Sequence, residues 1–190
     1  MQKSCVICGK VATTREHAIA RCFFEKPHPS DMITVPSCSS CNNSYSLDEE
    51  YVMYLIDYLK SIEENNGDFT RIKPELSFIH KNGLEDRMIK LIQMNSQIET
   101  CFFKEENDRV SRVLTKTAIC LFAHSKNRVF VPSQLKVTFR FKSQMSDDQI
   151  RAADSQFGNS QQEGYVKYYC NDQEVGLCLS EFLYAAISII

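Results

Sequence analysis

Two short stretches of the chain carry paired cysteines, "CVIC" at residues 5–8 and "CSSC" at 38–41. A two-residue gap lets a knuckle turn present both sulfurs to one ion, and two such pairs supply the four soft ligands of a tetrahedral zinc. Cys5, Cys8, Cys38 and Cys41 are therefore expected to close a structural zinc site joining the N-terminal segment to the chain before the first long helix. Redox dithiols are the competing reading. That chemistry wants one pair with a strand before it and a helix after it, and it gives no reason for a second pair. The other five of the nine cysteines, Cys22, Cys101, Cys120, Cys170 and Cys178, sit beside apolar residues and read as inert core thiols.

A four-thiolate site is full, which leaves Glu16 and His17 in "TTREHAIA", and Asn42 just after the second pair, for other work. Closing the zinc site draws their segments together, so a carboxylate, an imidazole and a carboxamide are expected to converge. Oxygen ligands suit a hard divalent ion such as Mg²⁺ or Mn²⁺, and an imidazole free of metal can take a proton from water. Arg15 and Arg21 flank the Glu-His pair and are candidate phosphate contacts; ordinary surface charge is the alternative for each.

The elements that must position these groups are readable from periodicity. Residues 1–46 are rich in Cys, Ser and Thr with short apolar runs, the texture of a small metal-organised unit, and residues 47–190 form a second, α+β region. Ser46-Leu47-Asp48-Glu49 has the form of a capping box, and apolar residues at 47, 51, 54, 55, 58, 59 and 62 predict a helix to about residue 65, ended by "NNGD". Residues 84–94 also read as helical. "NDRVSRVLTKTAICLFAHS" places Val110, Val113, Leu114, Thr117, Ala118, Leu121 and Phe122 at helical spacing, with Arg and Lys on the other side. "LKVTFRFK" alternates from 135 to 142 as a half-buried strand, and "YVKYYCNDQEVGLCL" reads as two strands about a turn at Asn171-Asp172. The apolar "YAAISII" at 184–190 must be covered by its own core or by another chain.

Composition bounds the function. The 190 residues, 43% hydrophobic and 24% charged, suit a folded, soluble protein of one ordinary domain or a small unit plus a mid-sized one. No apolar run reaches the roughly 18–20 residues of a membrane span, and the N-terminus lacks a signal-peptide core. A cytoplasmic, reducing location without a membrane partner is expected, which favours metal binding over disulfides for the paired cysteines. The net charge of −2 is unevenly spread. Residues 46–68 carry seven acidic residues against Lys60 alone, whereas 109–142 carry eight basic residues and no acidic one. Lys136, Arg140 and Lys142 of the alternating strand, joined by Arg109, Arg112 and Lys116 of the preceding helix, make a candidate nucleic-acid surface.

"CVICGK…TTREHAIA…ITVPSCSSCNNSYS" resembles the zinc-containing, four-cysteine branch of the HNH endonucleases over roughly residues 5–46. The resemblance implies a ββα-metal core and a divalent-metal-dependent phosphodiesterase. In that pattern His17 is the general base, while Glu16 and Asn42, with Asn43 the nearest alternative, hold a catalytic Mg²⁺ or Mn²⁺. The family's middle Asn falls near Ile33 here, with Asp31 and Ser30 the closest polar residues. The substrate implied is nucleic acid, DNA before RNA, in a setting such as bacterial restriction or phage defence. The C-terminal region would serve substrate choice, a protein partner or homo-oligomer assembly. A zinc ribbon that binds nucleic acid or protein without catalysis is the competing reading.

Overall fold

The computed structural model describes residues 3–24, 26–64, 98–157, 161–163 and 166–190. The fold is α+β. A two-stranded antiparallel hairpin comes first, β1 (Thr14–His17) and β2 (Thr34–Ser37), with Glu16 opposite Val35 and His17 opposite Thr34. The helices α1 (Ser39–Ser44) and α2 (Ser46–Glu64) follow, then the long α3 (Ile98–Lys126). The chain then enters an antiparallel sheet of β3 (Leu135–Phe141), β4 (Gln161–Glu163), β5 (Val166–Cys170), β6 (Glu174–Leu179) and β7 (Leu183–Ile189), in the order β3-β7-β6-β5-β4. Helix α4 (Asp147–Gln156) lies in sequence between β3 and β4. The predicted helix over 84–94 and the "NNGD" stop fall outside the described residues.

Helix α3 is the wall between the two halves. It packs against α2 and β2 on one side and against β3, β5, β6 and β7 on the other. The residues read as its apolar stripe are all buried, and so are Lys116, Ile119 and Cys120, so that it is buried around its whole circumference from 116 to 122. Such a helix is a core element rather than a surface one. One hydrophobic cluster runs through it, from Val6, Phe23 and Val35 of the N-terminal segment to Leu177 and Ile187 of the sheet.

Strand β3 alternates as read: Leu135 and Phe141 point into this core and Lys136 and Arg140 outward. It ends at Phe141, however. Lys142 opens a 3₁₀ turn, is half-buried, and gives its N–H to the Phe182 carbonyl (2.7 Å), so it does not share the outer face of Lys136 and Arg140. The β5–β6 turn forms at the expected place because the Asn171 side-chain oxygen accepts from the N–H groups of Gln173 and Glu174, both at 2.8 Å. The terminal apolar run becomes β7, paired on both sides by β3 and β6. The second face of the sheet is partly covered beside α4, where Phe157 meets Tyr184 and Tyr169. Gly176 is required there, since a Cβ on it would stand 2.0 Å from the Tyr169 ring.

Two sequence expectations for α2 are revised. Ser46 does not cap the helix: its hydroxyl donates to the Asn43 carbonyl, and the Glu49 N–H is taken by the Tyr45 carbonyl, because α1 runs almost directly into α2. The buried face is also rotated from the one read. Tyr51, Val52, Leu55 and Ile56 are buried, while Leu47 is 64% exposed.

Because Leu114 is fully buried in a helix that both halves pack against, Leu114→Ala should cost about 2–5 kcal/mol. In hydrogen exchange, amides of β2 and of β6 should lose protection together. Loss confined to one of the two would show that α3 does not couple them.

Candidate metal centre and the Glu-His strand

The first cysteine pair sits on a knuckle. Gly9 N–H bonds the Cys5 carbonyl (2.9 Å), Cys5 N–H bonds the Lys10 carbonyl (2.6 Å), and Gly9 takes a left-handed φ of 75° that an L side chain would resist. The second pair lies at the start of α1, where Cys38 is the N-cap and its sulfur accepts from the Cys41 N–H (3.4 Å). The Val6 N–H bonds the Pro36 carbonyl (3.0 Å), which brings the knuckle onto β2.

The four sulfurs of Cys5, Cys8, Cys38 and Cys41 consequently lie within 4.8 Å of one another. Zinc–thiolate bonds of about 2.3 Å in a tetrahedron separate sulfurs by about 3.8 Å. Cys8 and Cys38 stand at 3.7 Å, so the cluster is already the right size to hold such an ion. Its electrostatics ask for a cation too. Burial works against ionisation of Cys5, but N–H groups of Cys38, Cys8 and Ile7 and the Ser37 hydroxyl outweigh it and bring the thiol down to about 6. Cys38 is lowered chiefly by the Cys41 N–H. Cys41 is raised, by burial and then by the neighbouring sulfurs of Cys8, Cys38 and Cys5. Four thiolates this close need a positive charge among them. By contrast burial pushes Cys22 and Cys120 up to about 12 and Cys178 to about 11 and raises Cys170, which disfavours the reactive thiolate. Cys120 and Cys178 are core residues, Cys22 and Cys170 are only partly buried, and the Cys101 side chain is outside the described ones.

Strand β1 carries the Glu-His pair, and its pleat leaves Arg15 exposed and Glu16 4% exposed. Arg15 is tied to β2 through the Thr34 hydroxyl (2.7 Å) and carbonyl (2.9 Å). Asn42 donates to the Thr14 hydroxyl (3.1 Å), which places it against β1 two residues from Glu16; Asn43 is exposed. At Ile33 the carbonyl accepts from the Ala18 N–H (3.0 Å) and the side chain packs on the core.

Glu16 is held by a residue the sequence reading had placed on the polar side of α3. Lys116 is fully buried, and its ammonium touches Glu16 Oε1 (2.8 Å), Glu49 Oε1 (2.7 Å) and the His17 carbonyl (2.7 Å). The signal was available: Lys116 lies three residues after Val113 and four before Cys120, inside the apolar sector. Burial lowers the pKa of Lys116 and the carboxylates, Glu49 foremost, more than reverse this, so the ammonium stays charged. Glu16 Oε2, His17 Nδ1 and His28 Nδ1 are buried without a hydrogen-bond partner among the described residues. His28, in the β1–β2 connection, had no pattern around it to single it out. The His17 imidazole is pushed below its usual pKa by burial, then by Arg21 and Lys116, and is therefore neutral at pH 7.

The other basic candidates lie elsewhere. Arg112 pairs with Asp48 (2.7 Å) and Arg109 approaches the same carboxylate (3.7 Å), each stacked over a tyrosine, Tyr45 and Tyr51. Lys136 and Arg140 project from the sheet face opposite α3, Arg140 being paired with Tyr184 under α4, so the structure does not bring them to His17. Among the described residues the four cysteines are the one group of three or more His, Cys, Asp or Glu side chains gathered closely enough for a metal ion. No helix of the described residues is long and apolar enough to cross a membrane. No family model, curated protein or solved structure matches the chain.

Purified protein should carry about one zinc per chain, read by elemental analysis. Cys38→Ser should lose that metal together with the exchange protection of β1, β2 and α1. Folded wild-type protein free of zinc, before any chelator, would remove the metal centre.

Proposed function

We propose that this protein is an HNH-type endonuclease that hydrolyses phosphodiester bonds in nucleic acid, DNA before RNA, with divalent-metal dependence. The observation that carries the reading is the pair of open atoms on consecutive residues of β1. Glu16 Oε2 and His17 Nδ1 are buried polar atoms without partners, and native structures rarely leave such atoms unless water, an ion or a ligand meets them. They sit on a hairpin braced by four cysteines, with Asn42 packed against the same strand.

His17 is neutral at pH 7 and can take a proton from a water molecule attacking phosphorus. The exposed Arg21, whose charge helps keep that imidazole neutral, and the exposed Arg15 supply cations for the phosphate. Glu16 Oε2 and the Asn42 carboxamide are the oxygen donors that suit a hard ion, Mg²⁺ or Mn²⁺. Bound there, the ion would offset charge on the phosphate oxygens.

One observation favours a second reading, a zinc-organised module that binds nucleic acid or protein without cleaving. Half of the Glu16 carboxylate is already committed to Lys116, and the residue is nearly closed to solvent.

Plasmid nicking in Mg²⁺ or Mn²⁺ separates the two. Wild type should nick, and His17→Ala should lose about 10²-fold or more while keeping its zinc and its fold. Nicking undiminished in His17→Ala would put the base elsewhere; nucleic-acid binding without nicking in wild type would favour the module.

A further inference from the structure

Lys116 stands 99 residues from His17 in sequence, yet its ammonium meets the backbone of that residue. An ammonium has three N–H bonds and no acceptor. All three are used here, on Glu16 Oε1, the His17 carbonyl and Glu49 Oε1, with nothing left for solvent. Two of the three acceptors belong to the consecutive residues of β1 on which the proposed chemistry rests. The bond to the His17 carbonyl fixes the peptide that follows the imidazole. The bond to Glu16 Oε1 decides which carboxylate oxygen is spoken for and leaves Oε2 as the open one. A surface lysine could do neither, because it would be pulled outward by water.

We propose that Lys116 is a positioning residue for the Glu16–His17 pair, setting the direction of the imidazole and the open carboxylate oxygen. This rests on the hydrolytic reading of the same site. Lys116 does not touch substrate; it acts through the two residues it holds. The Glu49 contact completes the arrangement by anchoring the ammonium to α2.

The test uses full-length, zinc-loaded protein. Lys116→Met keeps an unbranched apolar chain out to the Cε position and removes the donors. Asp48→Ala is the control, since it breaks other contacts between α2 and α3, those of Asp48 with Arg109 and Arg112, without touching Glu16 or His17. At a temperature where both variants are folded, two quantities are read: the ¹H–¹³C signal of the His17 ring by NMR, and kcat and KM for plasmid nicking. Lys116→Met should shift or split the His17 ring signal and lower kcat by about 10- to 100-fold with KM little changed. Asp48→Ala should leave the ring signal and kcat as in wild type. Should Lys116→Met not fold, the Glu49→Gln/Lys116→Met variant, which removes the ammonium together with one carboxylate, takes its place with the same expected outcome. An unchanged His17 signal in the folded Lys116 variant overturns the proposal, as does an equal disturbance in Asp48→Ala. If wild type cleaves nothing, the hydrolytic reading falls on that result, and the ring signal still decides whether Lys116 positions His17.

Discussion

A single ammonium taken out of water organises the centre of this molecule. Burying such a charge costs several kcal/mol, so it is tolerated only where every N–H is met and opposite charge is close. Lys116 satisfies both conditions, and its acceptors come from β1 and α2 while the donor comes from α3. Three elements far apart in sequence must therefore reach one point before the lysine can leave solvent. The cysteine cluster cannot do this alone, because its four members join only the N-terminal knuckle and hairpin to α1. Lys116 extends that small unit into the rest of the core.

The same constraint explains the uneven charge of the chain. The acidic stretch after the second cysteine pair and the basic stretch along α3 partner each other, through Asp48 with Arg109 and Arg112 and through Glu49 with Lys116. The part-buried Arg112–Asp48 contact, its guanidinium half in water, adds little stability by itself, up to about 1 kcal/mol. Its value is directional, since stacking of the guanidinium on Tyr45 fixes how α3 lies along α2. Of the residues read as a possible polyanion surface, Arg109, Arg112 and Lys116 partner acidic groups of α2 and β1. The basic residues left outward on β3 face away from the hairpin.

Rigidity is concentrated where the open atoms are. The hairpin is held from one side by the cysteine cluster and from the other by Lys116, with Arg15 clipping β1 to β2 through Thr34. Unpartnered polar atoms of Glu16 and His17 within so constrained a frame cannot relax toward other protein groups at low cost. A rigid frame with unfilled polar valences is how a binding or catalytic site is kept ready.

By itself the sequence determined whatever depends on local spacing. The two cysteine pairs, the long helices, the alternating β3 and the Asn171 turn were legible because a knuckle, a helix face, a pleat and a side-chain hydrogen bond are each set within a few residues. The face of α2 came out rotated because it is set by α3 and the turn at Arg21–Phe23 that pack on it, distant neighbours that periodicity does not register. Lys116 was misplaced for a related reason: a charged residue is assigned to solvent unless its partners are known, and Glu16, His17 and Glu49 are 67 to 100 positions away. His28 was passed over because nothing near it in the chain marks it. Only the tertiary structure decided which charges face inward, because burial of a charge is settled by the sum of its distant contacts and not by the residues beside it.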